Sequence, residues 1–195
     1  ESRSTIVSLQ QETIAEPDLA DRATSETDRA LELRTRDRQR KRIAKIDDAL
    51  RRIEGAYSLV ALGVDLLIGV RDPLGVRPLV LGKRDGAPIL ASETCALDII
   101  GAKFERDIEP GEMVVITPAG VHSYQPFPRL KKRFCIFELV YFSRPDSRVE
   151  GISVYETRKR IGAELAREAP APVDVVIPVP DSGVPAAIGF ARESG

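Results

Sequence analysis

A chain of 195 residues that is 43% hydrophobic and 30% charged has the composition of a soluble protein able to bury a core, as one large domain or two small ones. Its 29 basic and 30 acidic residues nearly cancel, which removes any global charge argument for nucleic acid or for an acidic surface as partner. Two cysteines, Cys95 and Cys135, cannot make a disulfide framework, and no stretch reads as a signal peptide or a bilayer span, so a reducing cytoplasm is the expected compartment.

Residues 1–23 are polar and mixed in charge, with only Ile6, Val7 and Leu9 to bury, and predict a loosely ordered start. Ser25-Glu26-Thr27-Asp28 has the Ser-x-x-acid spacing of a helix start. Arg36, Arg38, Arg40, Lys41 and Arg42 follow without interleaved aromatics, so this basic run reads as a solvated helical face and not as a nucleic-acid patch. Ile43, Ile46, Leu50 and Ile53 recur at helical spacing, with Gly55 placed as a C-cap. Residues 56–62 and 66–70 predict a hairpin across Gly63-Val64-Asp65. Residues 78–81 and 88–91 predict a second across Lys83-Arg84-Asp85-Gly86. Ser92 is expected to cap a helix over 93–100, after which strands over 104–108, 113–117 and 121–124 alternate with Gly-containing turns. His122, the single histidine, lies in a surface strand without a motif partner and reads as a bystander. This half is mainly antiparallel sheet with helices packed on it.

Pro126-Phe127-Pro128 and the basic residues after it mark a boundary. Residues 134–142 are apolar and aromatic, Arg144-Pro145-Asp146-Ser147 is a turn, and residues 154–168 predict a helix whose Ile161, Leu165 and Ala169 face one way. Val175, Val176, Ile177 and Val179 form a β-branched run of the kind buried in a parallel sheet. Pro180-Asp181-Ser182-Gly183 ends it, and Pro185 suits the first turn of a following helix. Strand, tight loop and helix together read as the start of a doubly wound sheet. Such a loop aims free N–H groups and the positive end of a helix dipole at an anion, phosphate or pyrophosphate first; the same residues also fit an ordinary strand-to-helix turn.

Four phrases stand together: Ile-Glu-Gly-Ala-Tyr-Ser-Leu-Val-Ala-Leu (53–62), Arg-Asp-Pro-Leu-Gly-Val-Arg-Pro-Leu (71–79), Ala-Ser-Glu-Thr-Cys-Ala-Leu-Asp (91–98) and Pro-Val-Pro-Asp-Ser-Gly (178–183). The first three resemble the later part of the glutaminase domain of class II amidotransferases. With Phe134-Cys135-Ile136-Phe137-Glu138 and Ser143-Arg144-Pro145-Asp146-Ser147, the set resembles the amidophosphoribosyltransferase family. The resemblance implies the C-terminal part of an N-terminal-nucleophile hydrolase αββα sandwich over residues 1–127, with 1–23 unassigned. The N-terminal part of a type I phosphoribosyltransferase sheet would then occupy 128–195. It implies an enzyme that takes ammonia from glutamine and makes 5-phosphoribosylamine from phosphoribosylpyrophosphate in the first committed step of purine synthesis.

The same resemblance assigns residues. Asp181, Ser182 and Gly183 match the pyrophosphate loop, with Ser182 giving an oxygen to magnesium. Glu26 falls where the family has an aspartate that holds the glutamine α-amino group. Cys135 matches a cysteine that in one branch ligates a 4Fe-4S iron-sulfur cluster. Partners implied are the two small substrates and a second copy of the chain in the full-length parent, with neither nucleic acid nor membrane. Residue 1 is Glu where the family has its nucleophilic cysteine, and neither the Asn-Gly oxyanion phrase nor the acidic phosphoribosylpyrophosphate loop is found. The chain therefore reads as a central fragment, inactive by itself; the alternatives are another class II glutamine amidotransferase, or a non-catalytic remnant or interaction module.

Overall fold

The computed structural model describes the backbone of residues 19–50, 52–128 and 130–195, with side chains in the first helix described in part. Two compact units result, Glu1–Arg52 and Ile53–Gly195. In the first unit, α1 (Leu19–Leu50) is a single helix of 32 residues. Ser25 is thus inside a helix and does not begin one, and the helix ends at Leu50, short of Ile53. Continuity is understandable, because no glycine or proline lies between Leu19 and Leu50. Exposed pairs Lys41–Asp37 (2.9 Å) and Arg52–Asp48 (2.8 Å) agree with a solvated charged face, where water and salt screen such pairs.

The second unit opens with β1 (Ser58–Leu62), β2 (Leu67–Arg71), β3 (Val80–Arg84), β4 (Ala87–Ala91), α2 (Thr94–Ile99), β5 (Lys103–Asp107), β6 (Met113–Thr117) and β7 (Gly120–Tyr124). One antiparallel sheet runs β1-β2-β6-β7 and a second runs β4-β3-β5. Both expected hairpins form. The second closes through Asp85 and Gly86 at φ 50° and 84°, the left-handed pair that matches the twist of the flanking strands. Alternation along β3 separates two cores: Leu81 packs with Leu79, Ile108 and Val114 between the sheets, while Val80 packs with Leu97 and Ala102 under α2. Two glycines permit these approaches, since a Cβ on Gly69 would lie 2.6 Å from Leu90 and one on Gly82 would lie 2.7 Å from Leu97. The N-cap of α2 is Glu93, not Ser92, and its side chain makes no cap hydrogen bond because it is engaged elsewhere.

After Phe127 the chain makes a one-turn π-helix (Glu138–Phe142), β8 (Arg148–Val149), β9 (Ile152–Ser153), α3 (Val154–Glu168) and α4 (Val184–Ser194). The Ser153 hydroxyl caps α3 by accepting from the Glu156 N–H at 3.3 Å. The buried stripe of α3 is Val154, Arg158, Gly162 and Ala166, whereas Ile161 and Leu165 are 43% and 52% exposed, so the expected apolar face is the wrong one. Close backbone contact decides the orientation. A Cβ on Gly162 would stand 1.8 Å from the Ala186 carbonyl oxygen, and one on Gly189 would stand 1.9 Å from that of Lys159.

The expected parallel strand is absent among the described residues. Residues 173–179 join no strand ladder, and Val175 and Ile177 are 69% and 82% exposed. A parallel strand takes both its hydrogen bonds and its buried faces from neighbours, and every ladder among the described residues is antiparallel. The architecture is mixed α/β with antiparallel sheets.

Candidate functional site

Pro180, Asp181, Ser182 and Gly183 form a tight turn that leads directly into α4, with proline in its first turn. The Gly183 N–H donates to the Val179 carbonyl at 3.2 Å, Val184 donates to Asp181 at 3.3 Å, and Ala187 donates to Gly183 at 2.9 Å. Among the described residues no protein acceptor takes the N–H groups of Asp181 and Ser182. Asp181 is exposed and Ser182 half-buried, so a hydroxyl, a carboxylate and two backbone donors stand in the two residues before Gly183, next to the positive end of a helix. Gly183 has an ordinary right-handed φ of −77°, yet a Cβ there would meet the Val179 carbonyl oxygen at 2.7 Å. The glycine is therefore required by the turn itself, whatever sits above it.

The other motif phrases turn out to be fasteners. Asp72, fully buried, accepts from the N–H groups of Leu74 and Val76 at 2.9 Å each and of Arg77 at 3.3 Å, which folds the 71–79 phrase into a loop. Arg71, 1% exposed, donates to the carbonyls of Arg77, Ile108 and Gly75 and pairs with Glu150 at 2.7 Å; Glu150 also meets Lys132. Glu93 accepts from the Arg144 N–H and the Ser147 hydroxyl at 2.8 Å each, and the Thr94 hydroxyl accepts from the Arg148 N–H at 2.8 Å. The 91–98 phrase thus clasps the 143–148 phrase. Glu138, 2% exposed, accepts from the Ser143 hydroxyl at 2.9 Å and lies 2.7 Å from Arg77, whose guanidinium also covers the Phe142 ring at 4.8 Å. That Arg77 contact is an ion pair without hydrogen-bond alignment, because Glu138 Oε1 has no well-directed donor.

Arg158 and Glu138 were not found by sequence reasoning. Arg158, 2% exposed, donates to the Leu139 and Ser143 carbonyls at 2.7 Å each. Burial pulls its guanidinium below the ordinary value, against the attraction of Glu93. The available signal was its position four residues before Gly162 and four after Val154, inside a stripe of otherwise apolar or small residues.

Cys135, half-buried, contributes its carbonyl to the Glu138 N–H at 3.1 Å. Among the described residues no three His, Cys, Asp or Glu side chains gather as a metal site, so these residues do not fit a cluster that needs about four thiolates. Cys95 is buried, and burial pushes its thiol up although a hydrogen bond with Ser147 pulls it down, which keeps it protonated as core. His122 lies exposed on β7, as expected. The Glu26 side chain lies outside the described residues.

Comparison with known proteins gives two matches that overlap in the first unit. Residues 1–53 match the family model described as DnaK suppressor protein DksA, N-terminal domain. An amidophosphoribosyltransferase of Rhizobium etli is 51% identical over 178 residues, covering 89% of this chain and 36% of that protein. A chloroplastic amidophosphoribosyltransferase of Glycine max is 49% identical over 173 residues, covering 88% and 30% respectively. The chain is a relative of the amidophosphoribosyltransferases. It spans about a third of their length. The solved glutamine phosphoribosylpyrophosphate amidotransferase of B. subtilis, complexed with ADP and GMP, superposes with a TM-score of 0.74 at 41% identity, covering 77% of this chain and 33% of that one. An alignment covering 89% of the chain cannot fit inside Ile53–Gly195, so amidophosphoribosyltransferase similarity extends into the segment that the DksA model also matches.

Proposed function

We propose that the chain is the middle portion of an amidophosphoribosyltransferase, making 5-phosphoribosylamine from phosphoribosylpyrophosphate and glutamine for purine synthesis. The observation that carries this is half-identity to such enzymes over nearly nine-tenths of the chain. In this reading the sheets and α2 belong to an N-terminal-nucleophile glutaminase sandwich, residues 128–195 begin a type I phosphoribosyltransferase domain, and the boundary lies at 127/128. Asp181, Ser182 and Gly183 cradle pyrophosphate through the two unpartnered N–H groups and the Ser182 hydroxyl. Oxygen donors on Asp181 and Ser182 fit magnesium, which prefers hard ligands and keeps several waters. When bound, the ion would neutralise charge on the leaving pyrophosphate. Glu26 would meet the glutamine α-amino group one methylene farther out than the family's aspartate does. The full-length parent is expected to act in the cytoplasm as a homo-oligomer, without nucleic acid or membrane as partner, and no helix among the described residues is long and apolar enough to cross a membrane. An iron-sulfur cluster would need thiolates besides Cys135 in that parent.

Calorimetric titration with magnesium phosphoribosylpyrophosphate tests the assignment. Binding should be saturable and magnesium-dependent, and Ser182→Ala should weaken it roughly ten- to a hundredfold, the cost of one charge-assisted contact. Equal binding by both would reduce the loop to a turn.

A second reading concerns the first unit alone. The DksA-type match over residues 1–53 ends within one residue of the compact unit Glu1–Arg52, which favours a separately folding helical interaction module there, in a stretch that the amidophosphoribosyltransferases share in part. A peptide of residues 1–52 that is helical and monomeric without the rest would support it; a disordered peptide would count against it.

A further inference from the structure

We propose that Arg158 is a positioning residue for the loop at 180–183, holding α3, and through α3 the start of α4, against the π-helical turn. This rests on the pyrophosphate-loop assignment above and names the side chain that keeps that loop in place. The guanidinium is 2% exposed and donates from Nε to the Leu139 carbonyl and from Nη2 to the Ser143 carbonyl, both at 2.7 Å. These carbonyls sit within and just after Glu138–Phe142, a turn whose backbone acceptors would otherwise be left over. A planar fork reaches both at once, whereas an ammonium would satisfy one. No carboxylate hydrogen-bonds Arg158 among the described residues, so its work is geometric rather than ion pairing.

Both sides of this contact are fixed. The π-turn is tied to the 71–79 loop by buried Glu138 against Arg77, and internally by Ser143 on Glu138. On the other side, Gly162 lies one turn beyond Arg158 and meets the Ala186 backbone, while Gly189 meets that of Lys159. Backbone against backbone leaves no soft side chain to absorb a shift, so a displacement of α3 is passed to α4 and to Ser182 and Gly183 at its start.

The experiment compares Arg158→Met and Arg158→Lys in the 195-residue chain, with Arg106→Met as a control that breaks a pair elsewhere, Arg106 with Glu112. Two readouts are needed: affinity for magnesium pyrophosphate, and amide exchange at Gly183 and Ala187. Arg158→Met should weaken pyrophosphate about tenfold and Arg158→Lys less, while Arg106→Met, at similar loss of global stability, leaves affinity unchanged. Parent-like affinity in Arg158→Met, or a loss matched by Arg106→Met, would overturn the inference. If the parent itself ignores pyrophosphate, the loop assignment fails, and exchange decides the positioning role alone. Faster exchange at Gly183 and Ala187 than at sheet amides supports it, and unchanged exchange overturns it. Should Arg158→Met not fold, Arg158→Lys carries the same comparison.

Discussion

The sheet half of the second unit and its helical half are held together by different physics. Between β3, β4 and β6 the core is apolar side chains on both faces of each strand, with Ile108 and Val114 fully buried. From Glu138 onward the apolar cluster is small, Leu139, Val149 and Val154, and order comes from buried polar groups and from glycines that let helices touch. Meanwhile the β-branched run of that half leaves Val173, Val175, Ile177 and Val179 exposed. Hydrophobic sequence is a capacity for burial, and it becomes stability only where a neighbour is present to be packed against.

The largest effect that follows is at the helix contact. Gly162→Val should cost on the order of 4 kcal/mol in denaturant unfolding and remove the protection of α4, because the added carbons collide with backbone that cannot move aside. Wild-type stability in that variant would mean that α3 and α4 do not pack as described. In the sheet half, Ile108→Ala should cost about 3 kcal/mol through the cavity it leaves, measured the same way.

A smaller effect depends on pH. Burial pushes Glu112 up, but hydrogen bonds from Arg106, Ser123 and the Glu109 N–H, with the Arg106 charge, hold it below its ordinary value. Glu150 is likewise held down, against burial, by Lys132 and Arg71. For a carboxylate lowered on folding, stability is complete above the unfolded value of 4.5 and is lost as pH falls through the folded one. Asp107, raised by burial and by Glu150, works the other way and relieves part of the loss. Glu112→Gln should lower stability at pH 7 by about 2 kcal/mol and flatten the acid limb of the profile. An unchanged limb would show that the pair with Arg106 contributes nothing. The smallest effect is the mirror of Ile108: Ile177→Ala, at 82% exposure, should change stability by less than about 0.5 kcal/mol in this chain.

Local rules were enough for β6 and α3, whose bounds are those expected from turn residues and periodicity, and for both hairpins to within a few residues. They placed the 180–183 turn for the same reason, since proline and glycine punctuate it. They failed where tertiary contact decides. Ser92 lost the cap because Glu93 and Thr94 are occupied by the 144–148 turn, and Ile161 and Leu165 lost the buried face because small residues let α4 come closer on the other side. Arg158 and Glu138 were invisible as site-shaping groups, since their partners are carbonyls and side chains far away in sequence.

The central claim is that this chain presents a pyrophosphate loop at the start of α4, and amide chemical-shift mapping during a magnesium pyrophosphate titration tests it most directly. The signals of Asp181 and Ser182 should move first and most, followed by the first turn of α4, with the sheet amides still. No perturbation at all, or one centred on the basic face of α1, would contradict it.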